Sequence, residues 1–360
     1  MDDRPFIYDW SKEELAQILQ HWGEPSYRAG QLWQGLYRSL WSRADQFTVF
    51  PKSLRQKLNE HFVFESLSVV NESFADQGMT HKVLFHTPEG NPVETVLMRS
   101  DDGRITLCIS SQSGCGMGCV FCATGHMGFL ANLTAGQIVE QVLYFARLLK
   151  QENKTLSNIV VMGMGEPFHN FAQTLQAIDR LNDPSGFRFG ERRFTISTVG
   201  IAPMIRKFTA LKRQINLAIS LHAADDELRS QLVPINRKYP LEVLLEACRE
   251  YVEQTHRRIS FEWVLIHQVN DSREQAYRLA RLLKGLLCHV NLIPLNPTPG
   301  YRRRAPPQET IEEFKAVLQS HRIPCTVRAP RGLSIWAGCG QLAALQQERG
   351  LGGYARMSLV

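Results

Sequence analysis

Three cysteines within eight residues are the feature that most constrains this chain. They stand in Cys115-Gly-Met-Gly-Cys119-Val-Phe-Cys122, where glycines leave the backbone between the first two thiols free to turn. Three thiolates on one short loop can hold an iron-sulfur cluster. If Cys115, Cys119 and Cys122 are the only protein ligands of a four-iron cubane, one iron keeps an open position for chemistry. The loop therefore predicts a reactive metal centre.

Two kinds of metal site are compatible with this loop. His126 follows Cys122 at helical spacing, so the loop could instead close around a structural zinc ion with Cys3His ligation. The cysteine spacing, with Phe121 directly before the last cysteine, resembles the radical S-adenosylmethionine (SAM) superfamily. In that superfamily the open iron of a 4Fe-4S cluster binds SAM and cleaves it reductively to a 5′-deoxyadenosyl radical. The resemblance says nothing about the substrate.

The composition indicates a globular protein with a large core, because 44% of the 360 residues are hydrophobic. The N-terminal MDDRPFIYDW is acidic and no segment is apolar over the length that crosses a bilayer, so we expect a cytoplasmic protein with no membrane anchor. The net charge of +6 favours a polyanionic partner. The 8 cysteines point to metal ligation or thiol chemistry, since disulfide frameworks are rare in the cytoplasm.

The hydrophobic periodicity divides the chain into four parts. Residues 1–63 are predicted to form a small helical accessory domain, in which Ser11 and Glu14 give a capping-box pattern before the first helix. In residues 64–100 the period changes towards two, which predicts a β-rich linker with a pair of strands. Residues 101–342 carry the main domain and residues 343–360 form a tail.

Strand and helix patterns alternate six times in the main domain. The predicted strands are Ile105–Ile109, Asn158–Met162, Phe194–Ser197, Asn216–Leu221, Ser260–Ile266 and His289–Pro294. Six units in this order predict an α/β fold, an incomplete (β/α)6 barrel of parallel strands beside the helical N-terminal accessory domain. An eight-stranded barrel would need two more units. The open side would admit a large substrate.

Most of these strands end in chemically distinctive residues. In parallel α/β barrels the active site is built from the loops that follow the strands, so we expect these residues to share one site. The candidates for SAM binding are Gly165, Glu166, Ser197, Ser220, Leu221, His222 and Asn296. Glu166 could accept a hydrogen bond from an ammonium group, or it could be an ordinary glutamate at a helix N-terminus. His222 could equally be a satisfied core histidine.

The remaining cysteines fall into two groups. Cys339 lies between two glycines, which suits a residue that moves and reacts better than one that fills a core. Cys108 lies on the strand that leads into the cysteine loop. Each of them could also be a small buried residue. The predicted packing cysteines are Cys248, Cys288 and Cys325.

From Glu94 to Leu342 the chain resembles the RlmN/Cfr family of radical SAM RNA adenine methyltransferases. The segments that carry the resemblance are CISSQSGCGMGCVFCATGHMGF, NLTAGQIVEQV, VVMGMGEP, ISTVGI, AISLHA, VPIN, HVNLIPLNPTPG and RGLSIWAGCGQL, in that order. The helical N-terminal part also resembles that family's accessory domain.

The resemblance implies a mechanism with two SAM molecules per turnover and a 4Fe-4S cluster on the cysteine loop. Cys339 would take a methyl group from one SAM, and the radical made from the second would remove hydrogen from that S-methyl group. The methylene radical would add to adenine and link the RNA to the protein. Glu94, which matches the family's proposed base, would remove the ring proton. Cys108 would then attack Cys339, releasing methylated RNA and leaving a disulfide that an external electron donor must reduce.

Within that family two target carbons compete. Pro167 after Gly-Glu resembles the branch that methylates adenine C2 in 23S rRNA, at the peptidyl transferase centre, and in tRNA just 3′ of the anticodon. The alternative is the resistance branch, which methylates C8 of the same rRNA adenosine. The stretch from Leu333 to Gly338 departs from the usual acidic sequence before the reactive cysteine, and Leu130-Ala131 stands where a basic residue is common. Either departure could alter RNA docking or the regiochemistry.

The expected partners are 23S rRNA, tRNA and a flavodoxin-like or ferredoxin-like electron donor, and we expect a monomer. The candidates for phosphate contact are Arg302, Arg303, Arg304, Arg192, Arg193, Arg257, Arg258, Arg328 and Arg331. Two other classes stay open. A radical SAM enzyme acting on protein would need neither Cys108 nor Cys339, and a zinc-dependent RNA-binding adaptor would need no SAM.

Overall fold

The structure is a computed structural model that describes residues 4–343. The tail predicted for residues 343–360 therefore lies outside the described residues except for its first one. The helices are α1 (Lys12–His21), α2 (Tyr27–Gln34), α3 (Lys52–His61), α4 (Ala123–His126), α5 (Ala135–Gln151), α6 (Phe171–Asn182), α7 (Ala202–Ala210), α8 (Asp226–Leu232), α9 (Leu241–Thr255), α10 (Arg273–Leu282) and α11 (Gln308–Ser320). None of these helices is long and apolar enough to cross a membrane.

Local sequence signals account for where several helices begin. The Ser11 side chain accepts from the Glu14 amide while the Glu14 carboxylate accepts from the Ser11 amide, which completes the predicted capping box of α1. Thr134 and Gln137 form the same arrangement at the start of α5. Helix α2 ends at Gln34, and the chain continues as a π-helical turn to Ser39.

Most strands belong to one mixed sheet. The strands are β1 (Ser68–Ala75), β2 (Thr80–His86), β3 (Pro92–Arg99), β4 (Ile105–Ile109), β5 (Gln112–Gly114), β6 (Phe129–Asn132), β7 (Asn158–Val161), β8 (Phe194–Thr198), β9 (Asn216–Ser220), β10 (Ile259–Leu265), β11 (Cys288–Pro294) and β12 (Cys325–Val327). The order in the large sheet is β1-β2-β3-β4-β7-β8-β9-β10-β11-β12, and β5 pairs with β6 in a separate hairpin.

In the large sheet, neighbouring strands are parallel along the run β4-β7-β8-β9-β10-β11-β12. This confirms the α/β fold with an incomplete barrel. The parallel set contains all six predicted strands together with β12. That strand has only 3 residues, too few for a period-two pattern to be recognised. Within the described residues the edges β1 and β12 do not pair with each other, so the barrel stays open.

The segment before the barrel has three strands where the sequence predicted a pair. β1, β2 and β3 are antiparallel, and β3 pairs directly with the first barrel strand, Val96 lying opposite Cys108. This segment therefore extends the barrel sheet. Side chains at Lys82, Glu94 and Val96 face the same side as Cys108, because alternate residues of a strand share a face.

The N-terminal helices pack on the barrel through one continuous core, which includes Tyr8, Trp33 and Leu58 from the helical part and Val142 from α5. The Gly136 amide donates to the Asp9 carboxylate over 2.8 Å, and the Arg180 guanidinium donates to the Asp9 carbonyl oxygen. These contacts place the helical part against the outer face of α5 and α6.

Candidate active site

The cysteine loop follows β4 and turns back through a short hairpin. The Cys115 amide donates to the Gly128 carbonyl oxygen over 2.7 Å, and β5 pairs with β6 on either side of the loop. Gly114 has φ +67°, and a Cβ there would lie 2.0 Å from the Gly128 oxygen, so only glycine fits. This geometry turns Cys115, Cys119 and Cys122 towards one cleft.

The three thiols suit a cluster bound in that cleft. Burial raises the pKa of Cys115 to about 12, that of Cys119 well above its ordinary value, and that of Cys122 in the same direction. Thiols in such surroundings stay protonated until a metal displaces the proton. The cleft encloses about 970 Å³, including its opening to solvent, which is at the upper end of small-molecule sites.

The geometry gives no support to the zinc alternative. His126 Nε2 lies 2.9 Å from the Val120 carbonyl oxygen and Nδ1 lies 3.3 Å from that of Pro299, so the ring contacts main chain. Within residues 4–343, no three His, Cys, Asp or Glu side chains surround a position for a single ion. Zinc needs its ligands around one ion.

Glu166 enters the cleft on a loop that needs glycine. Gly165 has φ +100°, and a Cβ there would lie 2.5 Å from the Gln112 side chain. One Glu166 carboxylate oxygen accepts from the Phe168 amide (2.9 Å) and the other from the Val199 amide (2.8 Å). Burial raises the pKa of Glu166 to about 7, and these hydrogen bonds oppose that rise. Glu166 thus joins the loops after β7 and β8 and also lines the cleft.

His222 is a hydrogen-bonded residue and also lines the cleft. Burial, with a smaller contribution from Arg229, lowers its pKa to about 3, so the ring is neutral. The Val264 amide donates to Nδ1 over 3.0 Å, which leaves the ring proton on Nε2. The residue therefore has one proton to donate.

The other candidates for SAM binding divide between the cleft and the core. Ser197, Ser220 and Asn296 line the cleft. Leu221 does not: its side chain lies in the main core, its amide donates to the Glu262 carbonyl oxygen, and its own carbonyl oxygen accepts from Arg229. Its main-chain groups are thus already occupied.

Arg229 organises these loops, although its local sequence does not indicate this role. Its side chain is fully buried. Its guanidinium donates to the carbonyl oxygens of Leu221, Val199 and Ser220 and to the side-chain oxygen of Asn236. A buried arginine satisfied by loop carbonyls holds those loops together. The only available signal was a cationic residue on an otherwise ordinary helix turn, which is too weak to single it out.

Cys339 is exposed at the edge of the cleft, on a segment held from two sides. The Asn296 side-chain amide donates to the Cys339 carbonyl oxygen over 3.0 Å, and the Gln341 side-chain amide donates to the Pro297 carbonyl oxygen. On the other side, the Ala123 amide at the start of α4 donates to the Gly340 carbonyl oxygen over 2.8 Å. The structure thus brings Cys339 to the cysteine loop.

Cys108 and Glu94 are buried and are not among the residues that line the cleft. Cys108 is buried in a small cluster with Ile335 and Ala337, from the segment that carries Cys339. Burial raises the pKa of Cys108 to about 12, and the charge of Cys339 adds to that rise. Glu94 is completely buried, and its carboxylate lies 2.7 Å from Lys82 Nζ. The predicted packing cysteines Cys248 and Cys288 lie in the core, and Cys325 packs against it.

Comparison with known proteins identifies the family. The sequence profile of the radical SAM superfamily matches residues 109–280, and the ribosomal RNA large subunit methyltransferase N-terminal domain matches residues 7–64. A probable dual-specificity RNA methyltransferase RlmN from Chloroflexus aurantiacus is 48% identical, over 94% of this chain and 92% of the relative. The chain belongs to the RlmN family of radical SAM RNA methyltransferases. Dual-specificity RNA methyltransferase RlmN 1 from Myxococcus xanthus, another member, is 46% identical over 95% of each chain.

A solved structure agrees with the RlmN assignment. The crystal structure of a radical SAM methyltransferase from Sphaerobacter thermophilus is 49% identical, with a TM-score of 0.91, and covers 94% of this chain and 98% of that chain. Family membership confirms the predicted enzyme class, a SAM-dependent RNA methyltransferase, and implies a 4Fe-4S cluster and SAM as cofactors.

The arginines predicted to contact phosphate lie in three different places in this RlmN-family fold. Arg302, Arg303 and Arg304 are exposed in the loop after β11, where Gly300 lies against His126 at the end of α4. Four others precede β8 or β10: Arg192, Arg193, Arg257 and Arg258. They lie at the N-terminal ends of these parallel strands, whereas the cleft lies at the C-terminal ends. Arg193 there donates to the main chain of Ser157 and covers the Phe189 ring.

The last two arginines, Arg328 and Arg331, come just before the segment from Gly332 to Leu342, which carries Cys339. Arg328 lines the cleft with its Nη1 4.0 Å from Cys339 Sγ, while Arg331 donates to the Arg99 carbonyl oxygen over 2.8 Å. Arg328 therefore faces the Cys339 sulfur, and of the predicted phosphate contacts we retain Arg302–Arg304.

Proposed function

We propose that this protein methylates C2 of an adenosine in 23S rRNA, at the peptidyl transferase centre, and C2 of the tRNA adenosine just 3′ of the anticodon. Members of its family with similar sequences are named dual-specificity RNA methyltransferases. The observation that carries the proposal is the pair of thiols beside the three-cysteine cleft, with Cys339 exposed at its edge and Cys108 buried next to the same segment. Pro167 after Gly-Glu supports C2 over C8.

Two SAM molecules per turnover serve different steps in this proposal. Adenine C2 is a poor nucleophile, so direct displacement on a SAM methyl group has no adequate attacking atom, and radical chemistry from a cofactor removes that problem. The cluster held by Cys115, Cys119 and Cys122, with SAM bound beside Glu166, would supply a 5′-deoxyadenosyl radical.

Cys339 carries the methyl group. Its exposed sulfur attacks the methyl carbon of the first SAM as a nucleophile. The S-methyl group then loses a hydrogen atom, and its carbon bonds to C2 of the adenosine. Asn296 and Ala123 hold the main chain on both sides of this sulfur, which keeps it at the cleft edge through both steps.

Glu94 and Cys108 release the product. Glu94 removes the C2 proton, and the ring radical left by the addition gives up one electron, which the cluster would accept. The Cys108 sulfur then loses its proton and attacks the Cys339 sulfur. As the disulfide forms, the bond between Cys339 and the methylene carbon breaks, and that carbon takes up a proton to become the methyl group. Glu94 has no exposed surface, so proton removal requires the residues that cover it to move when RNA binds. An external electron donor then reduces the disulfide.

Cytoplasmic rRNA and tRNA are the substrates of this proposal, and the protein acts on them as a monomer. C2 becomes accessible only when the adenosine is unpaired or flipped out of its stack. The exposed run Arg302–Arg304 lies near the mouth of the cleft, where it can contact phosphates beside the flipped base.

Nucleoside mass spectrometry tests the proposal. The anaerobically reconstituted protein is incubated with methyl-labelled SAM and with a 23S rRNA fragment or tRNA, and the digest is compared with 2-methyl and 8-methyladenosine standards. We expect labelled 2-methyladenosine from both RNAs and none with Cys339→Ala. Cys288→Ala, which alters a core cysteine, is the matched control. An 8-methyladenosine product would reassign the regiochemistry to C8, and methylation by Cys339→Ala would refute the mechanism.

A further inference from the structure

Arg328 is the cationic side chain that contacts the reactive sulfur. Its Nη1 lies 4.0 Å from Cys339 Sγ, and its charge also acts on Cys108. Its amide donates to the Leu292 carbonyl oxygen over 2.8 Å, which continues the pairing of β12 with β11. The backbone at Arg328 is therefore anchored to the sheet while its side chain lines the cleft.

A buried carboxylate lines the same cleft as Arg328. Glu262 on β10 is 3% exposed, and among charged groups it exerts the largest electrostatic effect on Arg328. One of its oxygens accepts from the Asn291 amide over 2.8 Å, and the other has no hydrogen-bond partner. Burial raises the pKa of Glu262, while Arg328 and Asn291 oppose that rise.

Methyl transfer brings an anionic sulfur and a cationic methyl donor together, and the charges of Arg328 and Glu262 act on both. The attacking sulfur is anionic, which a guanidinium beside it stabilises. The methyl donor is a sulfonium cation, which an isolated guanidinium in a partly desolvated cleft would repel. A carboxylate in the same cleft offsets that repulsion. Cys108 and Cys122 also interact electrostatically with Cys339, and neither supplies a positive charge.

We propose that Arg328 is a catalytic residue that stabilises negative charge on the Cys339 sulfur, and that Glu262, on the lining of the same cleft, balances the charge of Arg328. This assignment rests on the proposed function for its chemical purpose. The Cys339 thiol first loses its proton to solvent. A sulfur lone pair then forms the bond to the SAM methyl carbon while the methyl–sulfonium bond breaks, its electron pair staying on the sulfur of S-adenosylhomocysteine.

Alkylation of Cys339 with two reagents of different charge tests the assignment. The cluster-loaded protein, without SAM, is treated with iodoacetate, an anion, or with neutral iodoacetamide. For each reagent, the alkylation rate of the peptide that carries Cys339 is divided by the fraction of that peptide that is unmodified at the start. Arg328→Gln should lower the ratio of the iodoacetate rate to the iodoacetamide rate on the order of fivefold, because the local positive charge is lost. Arg328→Lys should keep most of the ratio of the unaltered protein, because lysine also carries a positive charge.

Glu262→Gln makes the opposite prediction, a ratio above that of the unaltered protein, because it removes the balancing negative charge. Arg331→Gln is the matched control and should leave the ratio unchanged, since Arg331 contacts the Arg99 carbonyl oxygen instead. An unaltered ratio in Arg328→Gln would overturn the role of Arg328, and an unaltered ratio in Glu262→Gln would overturn that of Glu262. If Arg328→Gln does not fold, a ratio in Arg328→Lys as low as that of a free cysteine thiol overturns the assignment.

The proposed function fails independently of this test. Transfer of label from methyl-labelled SAM to the Cys339 peptide measures the S-methylcysteine step itself. A protein that takes up no label but has the expected alkylation ratios would refute the step and leave the charge assignment standing.

Discussion

Cys339 and Cys108 have opposite surroundings, and the difference separates their roles. Cys339 is exposed beside a guanidinium, whereas burial raises the pKa of Cys108 to about 12. At neutral pH Cys108 stays a thiol, and a thiol is a poor nucleophile. In the proposed mechanism Cys108 would therefore not compete with Cys339 for the methyl group of SAM, and it would act only after the adenosine has been attached.

Replacing Cys108 should trap the RNA on the protein. In Cys108→Ala no sulfur is available to attack Cys339, so the proposed link between Cys339 and the adenosine persists. We expect a labelled RNA–protein species on a denaturing gel that disappears on RNase treatment. Cys288→Ala should give none. Rapid release of methylated RNA by Cys108→Ala would show that another group resolves the adduct.

Lys82 and Glu94 form a buried ion pair that also reaches the Cys339 segment. Lys82 Nζ lies 2.7 Å from the Glu94 carboxylate and 3.4 Å from the Trp336 carbonyl oxygen. Removing one partner of a buried pair costs about 3–5 kcal/mol, because the other charge loses its compensation. Lys82→Met should therefore lower the free energy of unfolding by about 3 kcal/mol.

A double-mutant cycle checks this interpretation. Lys82→Met combined with Glu94→Gln should recover part of the loss in chemical unfolding, since the uncompensated charge is gone. The control Lys52→Met, at an exposed position of α3, should change the free energy by less than about 0.5 kcal/mol. Additive losses in the double variant would mean that the pair is not coupled.

At the scale of elements, α5 joins the β-rich segment to the barrel through two buried side chains. The Gln141 oxygen accepts from Thr95 on β3 and from the Ser110 amide after β4, each over 2.8 Å. The Glu140 carboxylate accepts from the Ser66 and Leu67 amides just before β1. One helix thus orients the strands that carry Glu94 and Cys108.

Glu140 should make stability depend on pH. Burial raises its pKa to about 8, from 4.5, so between these values the folded state holds a proton that the unfolded state has released. Stability is therefore greatest at low pH and falls as pH rises, by up to about 1.4 kcal/mol per pH unit from this group. Unfolding measured from pH 5 to 8 should be less pH-dependent in Glu140→Gln. Glu309→Gln, exposed on α11, should keep the original slope. An identical slope in both variants would contradict the prediction.

At the scale of the whole molecule, the helical N-terminal part and the barrel share a hydrophobic core. Their contact at Gly136 leaves no room for a side chain: a Cβ there would lie 2.6 Å from the Asp9 carboxylate and 2.8 Å from the Phe6 ring. The sequence alone would interpret this glycine as a weak point in a helix. The tertiary contact makes it a requirement.

Two glycine-to-alanine substitutions should therefore have opposite signs. Gly30→Ala, in α2 with nothing within 4 Å of the new Cβ, should raise the free energy of unfolding by about 0.5–1 kcal/mol. Gly136→Ala should lower it by about 1–3 kcal/mol, because the added atom overpacks the contact. Thermal or chemical unfolding of both variants checks the signs. A stabilised Gly136→Ala would show that the contact between the helical N-terminal part and α5 accommodates the added atom without cost.

Patterns within short stretches of sequence predicted the elements well. The six barrel strands and the capping box at Ser11 follow from residues at most a few positions apart. The third antiparallel strand before the barrel and the 3-residue β12 were missed, because a β-strand in this segment is defined by its partners as much as by its own period. Arg328 was assigned to RNA phosphate, since nothing in its local sequence shows that it faces Cys339.

The sequence by itself determined the cysteine loop, the order of strand and helix units, and the residues that could react, because each of these depends on neighbours along the chain. Only the tertiary structure decided which of them meet. The register of β3 with β4 places Glu94 and Cys108 on one face, the loop after β11 carries Asn296 to Cys339, and the extension of β12 carries Arg328 to the same sulfur. These contacts join distant parts of the chain, so they depend on sheet order and packing, which no local pattern contains.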